Sequence, residues 1–178
     1  MRNLIIQLLG IVASVLPPAV SIPDGSLVFL EHSNRYVEYF TGSGTTHVGM
    51  VIDGWVYEAT PPNVRRVKVE EYDSEICLEQ KKNKKLKVRI LLPKDDYSGT
   101  DVARMRRHLD GRVGRPYTIW GYILGRAVGG GYHCAQLVSS TLHTTQRFLF
   151  FAPWSVTPGN LEKTAMDKYE AVYLLGGK

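Results

Sequence analysis

The spacing of apolar positions along the chain switches repeatedly between a period of two and a period near 3.6. These switches divide it into short strands and short helices. Ser26-Leu27-Val28-Phe29-Leu30 is a β-rich run entered through the turn residues Pro23-Asp24-Gly25. Residues 34–40 read as a short helix and residues 41–46 as a loop. The clearest segment follows: His47-Val48-Gly49-Met50-Val51-Ile52 and Trp55-Val56-Tyr57-Glu58-Ala59-Thr60, separated by Asp53-Gly54, the strongest short hairpin signal. Strands are expected over 64–69 and 86–92, with a helix over 70–80 between them. Residues 100–112 form an amphipathic helix with Val102, Met105 and Leu109 on one face, ended by Arg115-Pro116-Tyr117. Gly129-Gly130-Gly131 gives a flexible approach to Cys134. Residues 134–143 then form a helix with Leu137, Val138 and Leu142 inward. A short helix from Pro158 and a strand over 171–175 close the chain. The mixture predicts an α+β fold, a small antiparallel sheet packed with helices.

The first residues break the pattern. Met1-Arg2-Asn3 carries one positive charge, and an apolar run over residues 4–16 follows. Pro17-Pro18 stops a helix there, and Ala19-Val20-Ser21 supplies small residues. This is the layout of a secretory signal peptide cleaved after Ser21. The expected organisation is therefore a leader over 1–21, a single domain over 22–178, and an exported protein, periplasmic or extracellular. With 178 residues the chain suits one domain with a real core. Its 44% hydrophobic and 22% charged residues are ordinary for a globular protein, so composition excludes a disordered or fibrous chain.

The net charge is +5, and two stretches, 81–89 and 104–115, carry much of it. Such a surface suits anionic partners, cell-wall polymers or phospholipid head groups among them, and allows peripheral contact with a membrane. Neither stretch has the interleaved aromatics or the motif of a nucleic-acid module, so nucleic acid is not expected as a partner. Two cysteines, Cys77 and Cys134, are too few for a disulfide-stapled secreted scaffold. Cys77 reads as a partly buried structural thiol in a helix.

The hairpin constrains chemistry. A two-residue turn at Asp53-Gly54 sets Ile52 opposite Trp55, Gly49 opposite Glu58 and His47 opposite Thr60. His47, Gly49 and Glu58 then share one face with Val51 and Val56, and Glu58 lies diagonally across from His47, about 7–8 Å away along the backbone. Gly49 has no side chain in the path. Glu58 can therefore accept a hydrogen bond from the His47 ring, orienting it and favouring its charged form. Cys134 sits at the expected start of a helix, where the dipole and free N–H groups lower a thiol's pKa and where its own N–H can face an oxyanion. By residues alone, a Cys, a His and an acid in separate segments are a candidate triad and no more. His133 adjoins Cys134 but is expected to point elsewhere on the first helical turn, His32, His108 and His143 have no motif around them, and Ser139 and Ser140 lack a nucleophile elbow.

Six segments, in order, resemble the YiiX/YebB-like permuted papain-like proteins, relatives of the NlpC-type cell-wall peptidases. They are Asp24-Gly25-Ser26-Leu27-Val28-Phe29, Thr46-His47-Val48-Gly49-Met50-Val51, Val56-Tyr57-Glu58-Ala59, Gly114-Arg115-Pro116-Tyr117, Tyr132-His133-Cys134-Ala135-Gln136-Leu137-Val138 and Ser155-Val156-Thr157-Pro158. The resemblance spans nearly all of the chain after the leader. It implies a circularly permuted NlpC-type papain-like fold and a thiol hydrolase with a Cys134–His47–Glu58 triad. It also implies that Tyr117 lines the substrate site and that no cofactor is needed. Where the family often has a small or polar residue and then an acid after the Cys, this chain has Ala135-Gln136, which alters the rim of the pocket. The expected reaction is cleavage of an amide bond in cell-wall peptides through an acyl-enzyme. Two rivals keep the fold: a lipid acyl hydrolase or acyltransferase, since the family also resembles lecithin–retinol acyltransferase-like enzymes, and a silent binding domain. A metal site using His47, Glu58 and Cys134 or His133 has no ligand spacing to support it.

Overall fold

A computed structural model describes residues 22–124, 126 and 129–174. The proposed leader, residues 1–21, lies outside them. Six strands form one antiparallel sheet: β1 (Leu27–Glu31), β2 (Thr45–Ile52), β3 (Trp55–Thr60), β4 (Asn63–Lys68), β5 (Lys87–Pro93) and β6 (Tyr169–Leu174). Their spatial order is β4-β3-β2-β1-β5-β6. The helices are α1 (Arg35–Thr41), α2 (Val69–Lys82), α3 (Gly99–Asp110), α4 (Trp120–Leu124), α5 (Cys134–His143) and α6 (Pro158–Ala165), with a 3-10 turn at Pro153–Ser155. This is the α+β class expected, a small antiparallel sheet packed with helices.

The sheet is covered on both sides. Val48, Met50, Ile52, Tyr57 and Ala59 meet Met105 and Leu109 of α3, Leu137, Val138 and Leu142 of α5 and Leu161 of α6. On the other side Val28, Val51, Val56, Val67 and Ile90 meet Val69, Tyr72 and Ile76 of α2. The central strands are therefore buried on both faces, which is why β2 after His47 reads as an almost unbroken apolar run.

The β2–β3 turn has Asp53 at φ 51° and Gly54 at φ 73°, both left-handed, as a type I′ turn needs. The ladder runs from Ile52↔Trp55 to Gly49↔Glu58 and stops there. The expected His47↔Thr60 pair is not formed: His47 pairs with Leu30 of β1 on its other side, and Thr60 already pairs with Asn63 at the turn into β4. The two strands thus part where the catalytic chemistry was expected.

Two local expectations change. The strand begins at Thr45, not after Thr46, because Glu31 of β1 pairs with it across an irregularity. The approach to Cys134 is not a loose glycine tether either. Tyr132 N donates to Pro116 O and Thr118 N donates to Tyr132 O, at 2.9 and 3.0 Å. Gly131 lies so close to Thr118 that a Cβ there would sit 2.4 Å from the Thr118 methyl. The Arg115-Pro116-Tyr117 segment is therefore strapped alongside the residues that lead into α5. Helix α4 was absent from the sequence reading; it is one and a half turns long and buries only Gly121, too little for a periodic signal.

Candidate active site

His47 stands on β2 at the edge of the two-strand gap. Its Nε2 lies 2.5 Å from Glu58 Oε2, across the diagonal left open by Gly49. Glu58 is 3% exposed. A buried carboxylate needs partners, and Glu58 has three: the His47 ring, Arg65 Nε donating to Oε1 at 2.8 Å, and the Tyr72 hydroxyl donating to Oε2 at 3.2 Å. Arg65 is directly opposite Glu58 in the β3–β4 ladder. Its guanidinium also donates to both oxygens of Glu75 on α2, at 3.2 and 2.6 Å, a forked pairing that fixes its plane. Arg65, Tyr72 and Glu75 were not singled out from sequence. The signal for Arg65 was present, since pairing the strand over 64–69 with the hairpin puts it across from Glu58.

Cys134 is the first residue of α5 and is buried. His133 is the N-cap rather than a residue of the first turn: its Nδ1 accepts from Gln136 N at 3.2 Å, so Nε2 carries the proton and donates to Trp154 O at 3.0 Å. Both ring nitrogens are thus engaged in holding the helix start against the 3-10 turn. The N–H groups of Cys134 and Ala135 lie in the same first turn and are not the one that the His133 cap takes. Helix α5 packs on β2 and β3, which brings the Cys134 thiol close enough to the His47 ring for each to shift the other's pKa. With Nε2 given to Glu58, Nδ1 is the ring nitrogen left for the thiol.

The electrostatics follow from this chain of contacts. Burial alone would push the Cys134 thiol up, but the positive His47 ring beside it prevails and brings it down to about 6. Burial alone would lower His47, yet the Glu58 carboxylate and the Cys134 thiolate outweigh it and raise the ring to about 10. Glu58 is held well below the usual carboxylate range: burial opposes this, and His47 and then Arg65 overcome it. At neutral pH the arrangement is a thiolate, an imidazolium and a carboxylate in line. Tyr117 is pushed up to about 12, first by burial and then by the Cys134 charge, so its hydroxyl keeps its proton beside the sulfur.

The remaining histidines have other duties. His32 pairs with Glu38, His108 Nε2 lies 3.1 Å from Ser140 Oγ, and His143 Nδ1 accepts from Phe150 N. Cys77 is half-buried on α2.

Beside Cys134 opens a cleft of about 190 Å³ between α1 and the segment around α4. Val37, Phe40, Ile119, Ile123 and Val156 line it together with Tyr117, and among the described residues no Asp, Glu, Lys or Arg does. On the other side of His47 a second cleft of about 240 Å³ runs past Thr46, Glu58, Arg65 and Tyr72, with Tyr117 at the boundary of both.

No protein-family model matches the chain, and no curated protein matches it. Among solved structures it is similar to a crystal structure from Escherichia coli O157:H7 described as the metalloprotein YiiX. The likeness covers 86% of this chain and 89% of that one, at a TM-score of 0.54 and 14% identity. The chain has a YiiX-like fold. At that identity the likeness speaks for the fold alone. Among the described residues no three His, Cys, Asp or Glu side chains converge to hold a metal ion. A metal at His47 and Cys134 that recruited Glu58 Oε2 would have to take the place of the His47 bond and the Tyr72 hydroxyl there. In this arrangement the side chains are committed to one another and not to a metal centre.

Proposed function

We propose that the protein is a thiol hydrolase of the permuted papain-like kind, with Cys134 as nucleophile, His47 as base and acid, and Glu58 as the orienting carboxylate. The observation that carries this reading is the position of His47, bonded through Nε2 to a buried carboxylate and electrostatically coupled to the thiol that starts α5. The Cys134 sulfur attacks a carbonyl carbon, and the carbonyl π electrons move to oxygen. The Cys134 N–H at the start of α5 and the protonated Tyr117 hydroxyl are the donors that would receive that oxyanion. Collapse breaks the bond to the leaving amine or alcohol, which takes its proton from His47. Water then attacks the thioester, His47 takes its proton, and the acid leaves with the sulfur again a thiolate. Glu58 stabilises the imidazolium at each stage and stays ionised throughout.

For an exported enzyme of this class, an amide in cell-wall peptides is the first substrate reading. The cleft favours the second, a lipid acyl ester or amide: its wall beside Cys134 is apolar and offers no cation to a peptide's carboxylates. The test is mass spectrometry of the intact protein after brief incubation with defined peptidoglycan fragments and, separately, with phospholipids. An acyl mass increment on Cys134, absent from Cys134→Ala, is expected. Turnover that persists in Cys134→Ala would end the reading.

A further inference from the structure

Two short helices flank the mouth of the apolar cleft. Helix α1 buries none of its side chains, and its Tyr36, Tyr39 and Phe40 are 70%, 84% and 60% exposed. Helix α4 presents Trp120, Ile123 and Leu124 at 58%, 47% and 52%. Tyr36, Phe40 and Ile123 line the same cleft as Cys134, so both sets belong to one surface around the site. Single exposed apolar residues are ordinary, but six on two helices around one opening mark a contact surface. The residue types are informative: Tyr, Trp and Phe have an apolar body, two of them with a polar tip, the composition found at the water–lipid boundary.

Charge narrows the partner. From residue 111 to residue 161 the chain contains Arg112, Arg115, Arg126 and Arg147 and no Asp or Glu. This stretch builds α4 and the wall of the cleft that carries Cys134. Arg126 follows α4 directly, Arg35 opens α1, and both are exposed. The acid of α1, Glu38, is paired with His32 at 3.2 Å. Arg112 and Arg147 are engaged elsewhere, on the His108 carbonyl and on the Asp95 and Asp96 carbonyls, so the cations beside the rim are Arg35 and Arg126, and an apolar rim flanked by them suits an anionic lipid surface. Pairing with a second copy about a two-fold axis would set this positive face against itself.

We infer that α1 and α4 dock the protein onto an anionic lipid bilayer with the Cys134 cleft opening toward it. Docking itself needs no turnover; only the meaning of the cleft's orientation rests on the hydrolase reading above. The apolar side chains would enter the head-group layer, and the arginines would meet the phosphates.

The experiment is co-sedimentation of the full chain with vesicles of phosphatidylcholine alone and of phosphatidylcholine mixed with phosphatidylglycerol. Binding to the anionic vesicles that weakens with salt is expected. The triple variant Tyr39→Ser, Trp120→Ser, Leu124→Ser alters no residue lining the cleft and should lower partitioning about 10- to 100-fold. Leu78→Ser, at an exposed apolar position on α2, should leave it unchanged. Cys134→Ala should bind vesicles like the parent, so docking and hydrolysis stand or fall separately. An unchanged alkylation rate at Cys134 in the triple variant would show that its fold is intact. Equal vesicle binding by parent and triple variant would overturn the inference, as would no binding to either vesicle. A lipid-free dimer that the triple variant dissolves would assign the surface to a second copy instead.

Discussion

The protein builds the same ionic motif twice, an arginine bridging two carboxylates, and strand β2 feeds both copies. Arg65 bridges Glu58 and Glu75, and Arg89 bridges Glu31 and Glu162. Two residues apart on β2, His47 bonds to Glu58, and Thr45 donates its hydroxyl to Glu162 at 2.7 Å. The Arg89 cluster ties α6 to the sheet, and Thr45 has no proton to exchange near neutral pH. The Arg65 cluster continues through a titratable ring to a thiol at a helix start. Buried ion pairs alone therefore say little about function. What separates the two is the group that completes the carboxylate's shell and whether a nucleophile lies beyond it.

The sharpest way to break the comparison is to remove that outer end. Cys134→Ala should abolish turnover, a loss of at least about 10⁴-fold, since no second nucleophile is at hand. His47→Ala should fall nearly as far, because the thiol loses its base and the leaving group its acid. Both variants should keep the parent's melting temperature within a few degrees. Steady-state hydrolysis of an activated thioester alongside thermal melting reads this out; activity surviving in either variant would dissolve the distinction.

The carboxylates come next. Glu58→Gln should lower turnover by about 10- to 1,000-fold, since an amide still accepts a bond from the ring but carries no charge. Glu162→Gln should leave turnover alone and instead lower unfolding stability by roughly 1–3 kcal/mol, because a buried ionic contact loses its charge. If denaturant melts and rates show the two substitutions behaving alike, both clusters are structural.

Much of this contrast was legible along the chain, for a physical reason. An Asp-Gly turn with both residues left-handed fixes register, and register fixes which side chains face each other, so Gly49↔Glu58 and the His47–Glu58 diagonal follow from sequence. The start of α5 at Cys134 was legible from its periodicity. What could not be read depends on distant segments. Arg89 lay in a basic run that looks like a solvated face, and only the folding of α6 beneath it brings Glu162 to it. The α1–α4 rim has the same character: its side chains are unremarkable singly and become a surface only when the strap at 116–118 and 132 sets α4 across from α1. Gly49 gains a second meaning in three dimensions. A Cβ there would sit 2.8 Å from a Val56 methyl and 3.3 Å from Tyr57 O. Gly49→Val should therefore destabilise the sheet as well as block the diagonal, although Val by itself suits a strand.

A finer test uses pH. The pair titrates as a unit, with Cys134 near 6 and His47 near 10. Alkylation of Cys134 by iodoacetamide should fall about tenfold per pH unit below 6, where the thiolate is protonated. It should stay level up to about 10, where the imidazolium is lost. At neutral pH Cys134 should react much faster than Cys77, which has no charged ring beside it. Peptide-resolved labelling measures both rates in one sample, and equal rates for the two thiols would remove the thiolate–imidazolium pair.

The smallest effect should come from Tyr72→Phe, and it decides how much of the Glu58 shell bears on chemistry. The Tyr72 hydroxyl is the most distant of the carboxylate's three partners, at 3.2 Å, and shares Oε2 with His47. Removing it leaves Arg65 on Oε1 and the ring on Oε2, so Glu58 stays ionised and oriented. The phenyl ring still fills its place among Val28, Val56 and Val69. Turnover should drop by no more than about fivefold, in line with one neutral hydrogen bond of about 1 kcal/mol. The acid limb of the Cys134 alkylation profile should shift by only a few tenths of a pH unit. Arg65→Met takes away a charge instead, so Glu58 should rise and bind the imidazolium less firmly. The alkaline limb, where His47 loses its proton, should then move to lower pH, and Tyr72→Phe should not move it that far. If both variants displace the alkaline limb equally, Glu58 is held by packing and not by the cation on β4, and the two arginine clusters differ only in what stands at their ends.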